Sequence, residues 1–118
     1  MINKRNLGSK KEDEAAHFLE QHGLVIKERN FRNRFGEIDL IAVDGKYIVF
    51  IEVKYRKNAS AGYPEEAVSI SKARTISKVA DYYRVRKKIS DDTGIRFDVV
   101  AIEGDRIRWH KNAFEYVP

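Results

Sequence analysis

The sequence predicts an α/β fold: one domain with a mixed central sheet flanked by helices, in the order α-β-β-β-α-β-β. Three observations lead there. Two runs rich in β-forming residues, Glu37–Val43 and Lys46–Lys54, are separated by Asp44-Gly45, a strong hairpin signal. Helical patterns stand before the strands and between the third and fourth of them. A strand–helix–strand crossover from Lys54 to Ile95 makes those two strands parallel, which mixes the sheet.

The elements follow in order. A first helix is expected from about Ser9 to Gln21, with Ser9 and Glu12 as a capping box and Gly23 as a stop. Ala15, Ala16, Phe18 and Leu19 mark its apolar face. Leu24–Phe31 reads as a strand, followed by the two strands of the hairpin. Lys57–Pro64 is small, polar and contains Gly and Pro, so it reads as an internal loop. Glu65–Lys88 is a long helix in which Val68, Ile76, Val79 and Tyr83 recur at helical spacing. Ile95–Ile102 and Arg106–His110 are the last two strands, joined by a turn at Gly104-Asp105. The chain of 118 residues has room for one core, so residues 1–118 form a single domain.

Composition narrows the function. There is no cysteine, which excludes disulfides, thiolate metal sites and a cysteine nucleophile. No apolar run is long enough to cross a membrane, and Met1–Gly8 lacks the apolar core of a secretory signal. The expectation is a soluble cytoplasmic protein with no membrane partner. The formal net charge of +5 hints at a polyanion and is weak on its own.

Strand register supplies the sharper inference. With Asp44-Gly45 as a two-residue turn, Val43 faces Lys46, Asp39 faces Phe50 and Glu37 faces Glu52. Asp39, Glu52 and Lys54 then project to one side, the two acids as diagonal neighbours roughly 7–8 Å apart. Ile38, Leu40, Ala42, Val49, Ile51 and Val53 take the other, apolar side. Carboxylates inside apolar strands are costly unless paired or metal-bound. They fit either an ion pair of Glu52 with Lys54 or a hard-cation site, where oxygen donors suit Mg²⁺. Glu12 lies on the inward face of the first helix, where its plain reading is a capping residue.

Charge is unevenly spread. Ala67–Ser90 carries seven basic residues (Lys72, Arg74, Lys78, Arg84, Arg86, Lys87, Lys88) against Asp81 alone, and Arg29, Arg32 and Arg34 form a second basic group. Such residues contact phosphates without sequence preference, although a solvated helix face has the same pattern. Lys72 differs, because its spacing from Val68 and Ile76 puts it on the apolar side, snorkelling or pointing at the sheet. His17, His22 and His110 lack metal-ligand spacing. No Gly-rich phosphate loop is present. Trp109, Phe114 and Tyr116 read as core or interface residues, and in a chain this small they could serve a homodimer.

Taken together, Glu12, the run Gly36–Ala42 (GEIDLIA) and the run Phe50–Arg56 (FIEVKYR) resemble the PD-(D/E)xK nuclease superfamily. More closely, Gly8–Tyr116 resembles the YraN-like uncharacterised proteins, bacterial relatives of archaeal Holliday junction resolvases. The likeness includes Glu12-Asp13 before Ala15-Ala16, Gly23, Arg29–Arg32, Pro64–Val68, Lys72 and Arg96–Ala101. Lys11 stands where the family usually has Gly, and Glu14 is an alternative helix acid with poorer spacing to Gly23.

The resemblance implies a restriction-endonuclease-like core and a divalent ion, Mg²⁺ or Mn²⁺, held by Asp39, Glu52 and the Val53 carbonyl. It implies that Glu12 contacts the ion through water, that Lys54 positions or activates the attacking water, and that Lys72 faces the sheet. Lys72, Arg74, Lys78, Arg32, Arg34 and Arg56 are the expected nucleic-acid contacts. The function expected is metal-dependent hydrolysis of DNA, including branched structures. The alternatives are a binding module on the same fold that does not cut, and an interaction protein whose carboxylates are ion-paired.

Overall fold

A computed structural model describes residues 4–56 and 68–118, with side chains from Gly8 onward. The elements are α1 (Lys4–Gln21), β1 (Val25–Asn33), β2 (Gly36–Asp44), β3 (Tyr47–Arg56), α2 (Ile70–Arg86), β4 (Gly94–Glu103) and β5 (Arg106–His110). Their order matches the expected one. The five strands form one sheet in chain order, β1-β2-β3-β4-β5. All neighbouring pairs are antiparallel except β3 and β4, which run parallel as the crossover requires.

Several boundaries move. Helix α1 starts at Lys4, so Ser9 lies inside it and forms no capping box with Glu12. The S-x-x-E pattern is only a local signal, and Lys4–Leu7 contains no residue that breaks a helix. Helix α2 starts at Ile70, where the Ser69 hydroxyl accepts a hydrogen bond from the Lys72 amide at 3.0 Å. Val68 therefore precedes the helix, and Lys87 caps its far end. The expected loop at 57–64 and helix start at 65–67 lie outside the described residues.

The β2–β3 turn also differs. Asp44 pairs with Tyr47 and Val43 with Ile48, so Gly45-Lys46 forms the loop in place of Asp44-Gly45. Gly45 has φ +59 at the first loop position, a conformation that glycine adopts without steric cost. The shift changes the pairing by two residues, which preserves which side chains share a face. Continued past the Leu40–Ile51 pair, the register sets Asp39 across from Glu52 rather than diagonal to it.

Each face of the sheet carries its own core. Ala15, Ala16 and Leu19 of α1 pack on Leu40, Ala42, Val49, Ile51, Val100 and Ile102. Ile76, Val79, Ala80 and Tyr83 of α2 pack on Ile38, Ile41, Phe50 and Phe97. This alternation is what buries both faces of the central strands and explains their almost continuous apolar sequence.

Ile38 is the exception to the expected facing. It lies in the α2 core, while Leu40, two residues on, lies in the α1 core. A regular strand keeps such residues on one face. The partner strand changes sides at the same level: Arg29 ion-pairs with Asp13 of α1, whereas Phe31 packs in the α2 core. Between the Arg29–Leu40 and Phe31–Ile38 pairs stand Asn30, with φ +52, and Asp39. Both strands thus turn over at one rung, and this rung carries the candidate site.

The chain end is fastened to the sheet and to α2. Asp98 of β4 is fully buried and accepts hydrogen bonds from the Arg96 guanidinium, the Trp109 indole at 2.9 Å and the Asn112 amide at 2.8 Å. Phe114 stacks on Phe97, and Tyr116 donates to Asp81 at 2.6 Å. Phe114 and Tyr116 thus each have a partner within the chain.

Candidate functional site

The turned-over rung gathers three carboxylates. Glu12 reaches down from α1, and Glu37 and Asp39 come from β2, with one oxygen of each lying within 4.8 Å of the others. Asn30, on the facing strand, hydrogen-bonds Glu12. Asp39 Oδ2 accepts the Val53 amide of β3 at 2.8 Å. The Asp39 carboxylate thereby satisfies a β3 amide beyond the last backbone pair of β2 and β3.

Crowding and burial set the electrostatics. The Asp39 carboxyl is pushed up to about 7, first by burial and then by the Glu52 charge, with the Val53 amide opposing. Glu12 is raised by burial, which the Asn30 hydrogen bond only partly offsets. Glu52 is also raised by burial, against the charges of Lys72 and Lys54. In all three the rise comes first from burial, which disfavours the charged form.

Glu52 points to the other helix. Lys72 of α2 stands 3.6 Å from its carboxylate, so Lys72 does turn toward the sheet. Lys54, two residues along β3, is half-buried and close enough to lower the Glu52 carboxyl. Glu12, Asp39, Glu52 and Lys54 are therefore near one another, although the tight three-oxygen group contains Glu37 in place of Glu52. Glu14 lies outside that group and pairs with Lys11 at 3.3 Å, while Lys11 also sits 4.6 Å from the Tyr55 ring.

The basic residues divide by what they touch. Arg32 pairs with Glu37 at 3.5 Å. Arg34 and Lys78 lie over the Phe35 ring at 4.9 and 5.8 Å from its centre. The Arg74 Nε donates to the Pro118 carbonyl at 3.3 Å, so part of its guanidinium is engaged by the chain end. Arg56, at the end of β3, accepts the Gly104 amide through its carbonyl at 3.1 Å.

Two residues of the site went unselected in the sequence. Glu37 precedes Asp39 by two and was visible as a third acid in GEIDLIA, on the face of Glu52. Asn30 carried no local signal, since its role depends on a left-handed backbone within a strand.

Fold and site together define a small α/β protein with an acidic, oxygen-only group at a disrupted rung of a mixed sheet. The chain belongs to the uncharacterised protein family UPF0102, whose model matches residues 11–102. A UPF0102 protein of Lachnoclostridium phytofermentans is 46% identical over 97% of each chain. A second, from Fusobacterium nucleatum, is 45% identical over 94% of this chain and 92% of its own. A third, from Shewanella loihica, is 46% identical over 91% and 92%. Among the described residues, no helix is long and apolar enough to cross a membrane.

Proposed function

We propose that this protein is a metal-dependent phosphodiesterase acting on DNA, built on a restriction-endonuclease-like core. The observation that carries the reading is the convergence of Glu12, Glu37 and Asp39 from two elements, beside Glu52 and Lys54. The donor set fits a hard divalent cation: it is all oxygen, formally anionic and held partly out of water. Glu12, Asp39, Glu52 and the Val53 carbonyl are the proposed ligands of Mg²⁺ or Mn²⁺, with Glu37 beside them. Such an ion, when bound, supplies charge stabilisation at the phosphate and a more acidic water.

The chain's own residues would do the rest. Lys54 would orient the attacking water or meet the negative charge that develops on the phosphate. Lys72 offsets the charge of Glu52 and, on release, could turn to a phosphate oxygen. Arg32, Arg34, Arg74, Lys78 and Arg56 would hold the backbone, giving affinity without sequence preference. The Lys72–Glu52 pair also favours a second reading, in which a nuclease-like fold binds nucleic acid without cutting it.

The test is cleavage of supercoiled, single-stranded, flapped and four-way DNA with Mg²⁺ or Mn²⁺. Divalent-dependent nicking is expected, and Asp39→Ala, Glu52→Ala and Lys54→Ala should each lower it at least 100-fold, in the range for loss of a positioned catalytic group. Variants that cut like the parent would overturn the site. Salt-sensitive binding with no cleavage by the parent would select the second reading.

A further inference from the structure

We propose that Phe35, at the β1–β2 hairpin tip, stacks an unpaired nucleobase, so that the protein grips single-stranded nucleic acid at the recess between that tip and α2. The inference rests on the reading that the partner is a nucleic acid, and it adds which part of that partner is held.

The surface is apolar and ringed by cations. Phe35 is 43% exposed, Tyr82 40% and Val85 79%, and together with Lys78 and Asp81 they line one shallow recess. Scattered exposed apolar residues are ordinary, but a contiguous set calls for a partner. Arg34 and Lys78 lie within cation–π range of Phe35, and Arg86 donates to the Tyr82 hydroxyl at 3.0 Å. The one acid of the recess, Asp81, already accepts from Tyr116 and lies 4.0 Å from Arg84.

The platform is held in place. The Phe35 amide donates to the Asn33 side chain at 2.8 Å. Gly36 follows because a Cβ there would come within 2.7 Å of the Thr75 methyl, so the hairpin tip lies tight against α2. A hairpin backbone held in this way has less freedom left to lose when the ring takes up a ligand.

Charge and shape select the occupant. A strand of unpaired nucleotides offers flat π-faces to Phe35 and phosphates to Arg34, Lys78 and Arg86 at once. An apolar helix laid in the same recess would cover those cations without answering them. Bases within a duplex are already stacked and cannot be held in this way.

The test is fluorescence anisotropy with the full chain in EDTA, comparing labelled oligothymidine with a duplex of equal length. Phe35→Ala should weaken oligothymidine binding about tenfold and change duplex binding less than twofold. Phe35→Trp should keep the affinity, and its indole emission should be quenched on binding. Oligothymidine binding by Phe35→Ala within twofold of the parent, an unquenched indole in Phe35→Trp, or no oligothymidine binding by the parent would each overturn the proposal. Phe35-dependent binding without cleavage in Mg²⁺ would overturn the catalytic reading alone.

Discussion

Asp98 and Asp39 are both withdrawn from water, and their surroundings are opposite. Asp98 is fully buried and faces donors: both sides of the Arg96 fork, the Trp109 indole and the Asn112 amide. Asp39 is partly buried and accepts the Val53 amide, with the charges of Glu52, Glu12 and Glu37 around it. Burial is common to both, so burial alone does not mark a site. What differs is whether the neighbours answer the charge. The answered acid acts as a fastener, tying β5 and the chain end to β4 and, through Arg96, to Asp44 at the hairpin. Asp39, beside like charges, is held above its usual range and costs stability once it ionises.

The largest expected effect breaks the fastener. Asp98→Ala leaves Arg96 with only Asp44 and strands the Trp109 and Asn112 donors, so unfolding in urea should show a loss of about 3–5 kcal/mol. The next effect has the opposite sign. Between about pH 4 and 7 the folded protein holds a proton on Asp39 that the unfolded chain has released, so stability falls as pH rises through that range. Asp39→Asn should reduce that slope, to which Glu12 and Glu52 also contribute, and, at pH 8, stabilise the protein by about 2 kcal/mol, a part of the ~1.4 kcal/mol per pH unit that linkage allows. Denaturation midpoints across pH check this, and a variant as pH-dependent as the parent between pH 4 and 7 would contradict it.

The smallest effect sharpens the contrast. Mg²⁺ at tenfold over its dissociation constant should stabilise the parent at pH 8 by about 1.4 kcal/mol. Protons compete for the same oxygens, so the gain should fade by pH 5. It should vanish in Asp39→Asn, and thermal melts with and without the ion would show it.

Much of this was legible in the sequence, because the signals were local. The β2–β3 hairpin showed in its apolar runs and the Asp44-Gly45 pair, and the crossover to β4 followed from the helix between them. The same dipeptide misplaced the turn by one residue, since Asp-Gly does not say which of the two begins the loop. Asp39 and Glu52 were found because ionised groups interrupt apolar strands. The reversal at Ile38 was not legible: it depends on Asn30 in the facing strand and on a β3 amide captured by a side chain. Asp98 gave no sign of its role, for its partners Trp109 and Asn112 lie more than ten residues away.

The strand order has a consequence for how the molecule assembles. Three of its four strand pairs are closed by two-residue hairpins, and the parallel pair of β3 with β4 alone must wait for residues 57–93 to double back. Loop closure is most costly there, so β1–β3 can meander into place early and the later half must dock upon it. Glu12, Glu37, Asp39 and Glu52 all belong to the early half, while Lys72 and its neutralising charge arrive with the late one. Their mutual repulsion is thus carried through the slow step, and a divalent cation present during refolding should speed that step as well as secure its product.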